Sequence, residues 1–175
     1  ARRGVTVRPI LIWGDPRLRQ PAAPVGKITE GVRRLALDLI ETMYEAPGRG
    51  LAAPQLGVSR RVFVMDCFWK DGTDRAPVVV IDPEISEPSA GTAEHEEGCL
   101  SIPGVPVHVT RPAEVTLAWT GLDGIRHERR LSGVEAVCAQ HEYDHLDGIL
   151  IPDRVPEDVR AGLAPALDRL AGGRP

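Results

Sequence analysis

No apolar run in this chain approaches the roughly 20 residues that a membrane-spanning helix needs, so neither a membrane span nor a membrane partner is expected. Cysteine is scarce. Cys67, Cys99 and Cys138 are the only three, an odd number that cannot all pair, and a chain this long does not need a disulfide scaffold. A reducing compartment follows, with the cytoplasm as the default location. Lysine stands only at Lys27 and Lys70, which reads as compositional bias toward arginine. There is no concentrated basic face: the net charge is −4, with the two signs interspersed, and that argues against a nucleic-acid partner. The first residues, Ala1 to Pro9, are basic, but Arg8 and Pro9 interrupt the apolar stretch that a signal peptide requires. The absence of an initiator methionine is read as processing or trimming. No internal repeat, low-complexity tract or linker divides the chain, so 1–175 is expected to form one domain.

What is present suits an ordinary globular core. The 42% hydrophobic content is enough for a fold that buries about 70% of its unfolded surface. Ile10 to Trp13 reads as a short strand ended by Gly14-Asp15-Pro16. Thr29 can cap a helix whose apolar positions Val32, Leu35, Leu39, Ile40 and Met43 recur at helical spacing up to Pro47-Gly48. The small-residue loop Gly48 to Gly57 lets backbone approach a ligand closely. Strands are expected over Arg61–Asp66, Val78–Asp82, Val105–Val109, Glu114–Trp119 and Arg126–Leu131, the last two joined by an Asp123-Gly124 turn. A helix from about Ser132 to Leu146 should begin with a Ser132/Glu135 capping box, and another should run from Glu157 to Leu170. The tail Gly172-Gly173-Arg174-Pro175 should fray. The fold class is therefore α+β: mostly antiparallel sheets packed around a central metal-binding helix, with an N-terminal and a C-terminal helix.

That central helix carries His141-Glu142-Tyr143-Asp144-His145, an H-E-x-x-H pattern. Two histidines one turn apart have Cβ atoms about 5–6 Å apart and can grip one metal ion, with the glutamate beside them acting on a water. The face is otherwise apolar, through Val134, Val137 and Cys138. Two core histidines there would be costly to bury without a shared partner. A catalytic site of this kind takes three protein ligands. Ile151 occupies the place where one protease pattern would put a third histidine, and Glu157 is too close to serve in the other. The third ligand must come from upstream, and Cys99 in Glu97-Gly98-Cys99-Leu100-Ser101 is the candidate, on an irregular segment able to bend toward the helix. One thiolate and two imidazoles suit zinc, iron(II), nickel or cobalt. Cys67 and Cys138 read as packing residues, the latter in the wall of whatever cavity adjoins His141.

Three blocks taken together, G-R-G-L-A-A-P-Q at 48–55, E-G-C-L-S at 97–101 and Q-H-E-Y-D-H-L-D-G at 140–148, resemble those of the peptide deformylases of bacterial type. The resemblance extends over almost the whole chain. It implies removal of the N-formyl group from the N-terminal formylmethionine of nascent polypeptides, metal-bound hydroxide attacking the formyl carbon. It implies Cys99, His141 and His145 as metal ligands, Glu142 as general acid/base, and an oxyanion hole made by the Gln55 side-chain amide and the Leu100 backbone N–H. It further implies Fe2+ as native metal, with Zn2+, Ni2+ or Co2+ able to replace it, and a location near the ribosomal exit.

The pocket implied for the methionine side chain is lined by Gly48, Arg49, Gly50, His95, Glu97, Val134, Val137 and Cys138. Two of these depart from the family's habit, since Arg49 and His95 stand where apolar residues are usual. Arg49 should lay its stem along the rim and keep its guanidinium in solvent or on a carboxylate; His95 reads as a rim residue in preference to a fourth ligand. Glu97 and Arg111 are expected to form a partly buried ion pair that orients the Cys99 segment, and His108 and His127 should lie on the surface. Two other readings remain: a related amidase with a different N-acyl preference, and a non-catalytic member that binds nascent chains.

Overall fold

A computed structural model describes residues 6–172. Residues 1–5 of the basic start, and Gly173, Arg174 and Pro175 of the tail expected to fray, lie outside the described residues; Gly172, the first residue of that tail, is not frayed and closes the last helix. Three helices and seven strands follow one another as α1 (Glu30–Glu45), β1 (Gly50–Ala52), β2 (Val62–Met65), β3 (Val78–Ser86), β4 (Thr92–Cys99), β5 (Ile102–Pro112), β6 (Glu114–Thr120), β7 (Arg126–Ser132), α2 (Gly133–Leu146) and α3 (Glu157–Gly172). The strands form a five-stranded sheet in the order β1-β2-β3-β6-β7 and a separate β4-β5 hairpin. Every strand pair is antiparallel.

Strand β2 shows why the sheet lies in the middle of the molecule. Its four residues, Val62 to Met65, are all buried, so the run is continuously apolar where a half-exposed strand would alternate. Val62 and Val64 join the core under α1, with Leu35, Leu39 and Met43. Phe63 and Met65 point the other way, into the core shared with Ala136, Ala139 and Leu146 of α2. The two helices thus cover opposite faces of one sheet. A third cluster holds the β4-β5 hairpin (Ile102, Val107, Val109) against Leu167 of α3 and Leu18.

Helix α1 starts where expected, with the Thr29 side chain accepting from the Val32 N–H. Three local expectations are corrected. Ser132 makes no side-chain cap bond to α2, and the Glu135 side chain accepts from Arg129 at 2.5 Å instead of reaching back to the cap, so no capping box forms. Ile10 to Trp13 is not a strand: Leu11 donates to the Gln55 carbonyl and Trp13 to the Ser101 carbonyl, both at 2.8 Å, so the segment ties two site loops together without joining a sheet. Cys99 closes β4 and is not on an irregular stretch, although the ladder does shift register between Glu97 and Cys99.

Helix α2 must end sharply so that the chain can return to the hairpin. Gly148 makes the turn at φ +73°, and a Cβ there would lie 2.5 Å from the Arg19 carbonyl oxygen. Alanine at this position is strained twice, in backbone and in space, for a cost of about 1–3 kcal/mol. Gly148→Ala should lower the thermal midpoint by roughly 2–4 °C for each kcal/mol lost, as read by calorimetry. An unchanged midpoint would show that this turn is soft.

Candidate metal centre and active site

The two histidines project from one face of α2, their ring centroids 5.1 Å apart. The end of β4 brings Cys99 to them, with its Sγ 3.4 Å from His145 Nε2. One ligand atom from each of Cys99, His141 and His145 falls within 4.8 Å of the others. This is the spread of donors that a single ion can bridge.

His141 is oriented from behind. Its Nδ1 lies 3.0 Å from Glu97 Oε1, a bond that places the ring proton on Nδ1 and turns Nε2 toward the cluster. Glu97 accepts two bonds from Arg111, Nε at 2.7 Å and Nη2 at 3.0 Å. Arg111 Nη1 also donates to Asp144 at 2.9 Å, and Asp144 accepts from Arg154 Nε at 3.0 Å and Nη2 at 2.7 Å. A line of alternating charge therefore runs from Arg154 at the surface, through Asp144, Arg111 and Glu97, to His141. Burial pushes the Glu97 carboxyl up, but the hydrogen bonds from His141 and Arg111 outweigh it and hold Glu97 below the ordinary carboxylate range.

The field at the cluster favours a cation. Burial alone would lower the His141 imidazole, yet Glu142, Cys99 and Glu97 outweigh it and raise it well above its usual value. His145 is moved the other way, well below, by burial and by the positive charges of His141, Arg111 and Arg19. A neutral imidazole is the form that binds metal. Burial lifts the Glu142 carboxyl to about 7, and its Oε1 is a buried oxygen without a hydrogen-bond partner among the described residues. One sulfur, two ring nitrogens and this idle carboxylate oxygen fit a borderline divalent ion with a water beside it.

The remaining side chains converge from the loops. Gln55, in a 3-10 turn over Ala53–Leu56, is fixed at both ends of its amide. Its Oε1 accepts from the Ala52 N–H at 3.0 Å, and its Nε2 donates to Ser101 Oγ at 3.0 Å while lying 3.8 Å from Cys99 Sγ. The NH2 end therefore faces the centre. Gly50 is glycine for want of room: a Cβ would meet the Glu142 carboxylate, with Oε2 at 2.5 Å and Cδ at 2.9 Å. At Gly48 a Cβ would fall 2.7 Å from Leu100 Cδ1.

A cleft of about 970 Å³ opens over these groups, and Gly48, Arg49, Gly50, Gln55, His95, Glu97, Cys99, Leu100, Val134, Val137, Cys138, His141 and Glu142 all line it. Of the metal ligands and the catalytic and pocket residues the sequence assigns, only His145 is absent from the lining; it is almost fully buried. Arg49 behaves as expected at a rim: its guanidinium donates to the Cys67 carbonyl at 3.2 Å and to Asp71 at 3.3 Å. The Glu97–Arg111 pair is present and more buried than foreseen. His95 stays outside the three-residue cluster. His108 is exposed, whereas His127 is less so and stacks on Trp119 at 5.2 Å.

Ser101, Asp144 and Arg154 escape the sequence reading. Asp144 could have been found, since it stands three residues after His141 and so on the same helical face. Arg154 carries no local signal.

Comparison with known proteins agrees with this geometry. The family model described as polypeptide deformylase matches residues 7–161. The peptide deformylase of Agrobacterium fabrum is 45% identical over 151 residues, covering 86% of this chain and 88% of that protein. The one from Alkalilimnicola ehrlichii is 46% identical, with coverage of 92% and 89%. Among solved structures, a peptide deformylase from Legionella pneumophila superposes with a TM-score of 0.86 at 40% identity, over 97% of this chain and 100% of that one. One from Thermotoga maritima gives 0.80 at 43% identity, covering 86% and 99%.

If Glu97 orients His141 as an anion, Glu97→Gln should keep the fold but weaken divalent-metal binding by about 10–100-fold, measured by chelator competition. Unchanged affinity would reduce Glu97 to a packing role.

Proposed function

The chain belongs to the peptide deformylase family, a family of metal-dependent hydrolases, and from that premise we propose how its own residues divide the work on an N-terminal formylmethionine. The observation that carries the reading is convergence: the Cys99, His141 and His145 ligand atoms, the Gln55 amide and the Glu142 carboxylate meet at the floor of one cleft.

Cys99, His141 and His145 hold a divalent ion, which when bound supplies Lewis acidity and lowers the pKa of a nearby water. Glu142 takes a proton from the attacking water as its oxygen adds to the formyl carbon. The oxyanion that develops is met by the Gln55 Nε2–H and the Leu100 backbone N–H. As the C–N bond breaks, Glu142 returns the proton to the amine, and formate and the free N-terminus leave. Without the ion, burial lifts the Glu142 carboxyl to about 7; a bound cation would draw it down from there, leaving a carboxylate that can take the water's proton near neutral pH. Val134, Val137 and Cys138 form the apolar wall for the methionine side chain, while Gly48 and Gly50 bring backbone close to the peptide. Glu97 acts through His141, and Ser101 acts through Gln55.

Fe2+ is the native ion in this reading, on the resemblance of its motifs alone, since the thiolate–imidazole set equally suits Zn2+, Ni2+ or Co2+. The substrate is the nascent chain, met near the ribosomal exit in the cytoplasm, and the whole chain serves as one catalytic domain. An amidase with another N-acyl preference, or a chain that only binds nascent N-termini, lacks any comparable support.

Two experiments test the assignment. Glu142→Ala should keep its metal yet release formate from a formyl-Met tripeptide about 10²–10⁴-fold more slowly, and the wild-type protein should prefer the formyl over the acetyl peptide; equal rates for the two proteins, or acetyl preference, would overturn the reading. Gly50→Ala should slow turnover by a similar factor of about 10²–10⁴, because the added methyl group displaces the Glu142 carboxylate, while metal content stays at the wild-type level. Full activity in that variant would show that Glu142 works from another position.

A further inference from the structure

The loop between β2 and β3 grips the Gly48–Gly50 segment from outside the cleft. It bends at a single 3-10 turn over Trp69–Asp71. Asp66 anchors its root: the carboxylate accepts from the Tyr44 hydroxyl at 2.5 Å and from the Ala76 N–H at 2.8 Å, and the Asp66 N–H donates to the Arg49 carbonyl at 2.8 Å. The half-buried Trp69 ring packs edge-on against Tyr44, with centroids 5.1 Å apart, and the Arg75 guanidinium lies 5.2 Å from its centroid. A ring held on two sides has little freedom, and its indole nitrogen, which can only donate, is aimed at one atom. It donates to the Gly48 carbonyl oxygen at 3.0 Å, the one hydrogen bond that this oxygen accepts among the described residues.

That bond orients more than a carbonyl. A trans peptide unit is planar, so its C=O and N–H point in opposite directions. With the Gly48 oxygen drawn to Trp69, the Arg49 N–H in the same plane is turned away from it. Gly48 and Arg49 line the cleft and Trp69 does not, so away from Trp69 is toward the cleft. Among the described residues this N–H has no hydrogen-bond partner: pairing of β1 begins only at Gly50, and it is the Arg49 carbonyl that bonds to Asp66. A main-chain donor without a partner beside an open cleft is suited to a ligand carbonyl. Its distance from the reaction is set by the next residue, since Gly50 packs directly against the Glu142 carboxylate. One residue from the reacting groups, the acceptor that a formylmethionyl peptide offers is the carbonyl of its methionine.

We propose that Trp69 is a positioning residue for the peptide: by holding the Gly48 carbonyl it presents the Arg49 N–H to the methionine carbonyl of the substrate. The inference rests on the deformylase reading and adds the means by which this chain tells a peptide from a bare formamide. The indole itself never touches substrate. Without its N–H, the Gly48–Arg49 peptide plane loses its outer restraint and is free to turn, and the donor no longer points at its acceptor. The formamide and the groups that hydrolyse it stay where they are, so the loss falls on binding and spares the chemical step. A substrate with no carbonyl at that place has nothing to lose.

The test compares two substrates on the zinc-loaded protein. One is formyl-Met-Ala-Ser. The other is the N-formyl derivative of methylthiopropylamine, which keeps the formamide and the thioether but has no carbonyl beyond them. Trp69→Phe retains a ring against Tyr44 and removes the donor. It should raise KM for the tripeptide by about 3–10-fold, the range for one neutral hydrogen bond, with kcat within about twofold of wild type. KM for the carbonyl-free substrate should not move. Should Trp69→Phe fail to fold, Trp69→Leu makes the same comparison. A wild-type KM for the tripeptide, an equal rise for both substrates, or a fall in kcat alone would overturn the proposal. Failure of the functional reading would show in the wild-type protein itself, as no formate from either substrate, and would remove the proposal with it.

Discussion

The arrangement of the site depends on a buried arginine. Arg111 lies inside the protein between Glu97 and Asp144, its side chain 6% exposed. Burying such charges brings a desolvation penalty that their attraction only roughly offsets. The cluster is therefore poorly explained as a source of stability. Its position explains it better. Arg111 is on β5, Glu97 on β4 and Asp144 on α2, so the ion pairs clamp the separate hairpin onto the helix. The same clamp sets the distance from Cys99, at the end of β4, to His145 on α2. Removing one charge leaves its partners buried and unpaired, a loss of about 3–5 kcal/mol in comparable cases, and the metal cluster would separate along the same seam.

The chemistry was more legible in the sequence than the architecture that supports it. His141, Glu142 and His145 lie within one helix turn of each other, so local periodicity alone brings them together. Cys99 could be inferred because the downstream positions fail to supply a third ligand. The strand that carries it could not. Thr92 to Cys99 is rich in glutamate and has no apolar alternation, and its outward residues stay exposed. It is a strand because β5 pairs with it and because Glu97, its one buried carboxylate, finds Arg111. Long-range pairing of that kind leaves no mark within eight residues of sequence. Gly50 to Ala52 was hidden for a related reason, being a three-residue strand inside a loop whose glycines Gly48 and Gly50 pack closely against the Leu100 and Glu142 side chains.

The failed capping box carries a similar lesson. Ser132 and Glu135 have the right spacing, and the helix begins there, yet Arg129 of the preceding strand captures the glutamate. A local signal located the boundary correctly and named the wrong interaction. Ile10 to Trp13 reverses the case: its apolar run suggested a strand, and it is instead a strap whose two backbone bonds reach Gln55 and Ser101. Those are the two residues whose side chains bond to each other beside Cys99. A segment that looks structural in sequence thus restrains the amide that faces the centre.

The two histidines, although one turn apart on one helix, occupy opposite electrostatic environments. His141 faces three acidic groups and is pushed toward its cationic form, while His145 lies deeper and is pushed toward neutrality. A site that merely buried imidazoles would lower both. Positive charge is therefore favoured on the side of Glu97, Glu142 and Cys99. A divalent ion satisfies that demand and frees the His141 nitrogen to act as a ligand. It would also draw the Glu142 carboxyl back down from about 7, since a neighbouring cation stabilises the charged form. The residues that hold the ion and the residue that handles the proton are therefore one coupled system, and the line of charge through Arg111 connects that system to the rest of the fold.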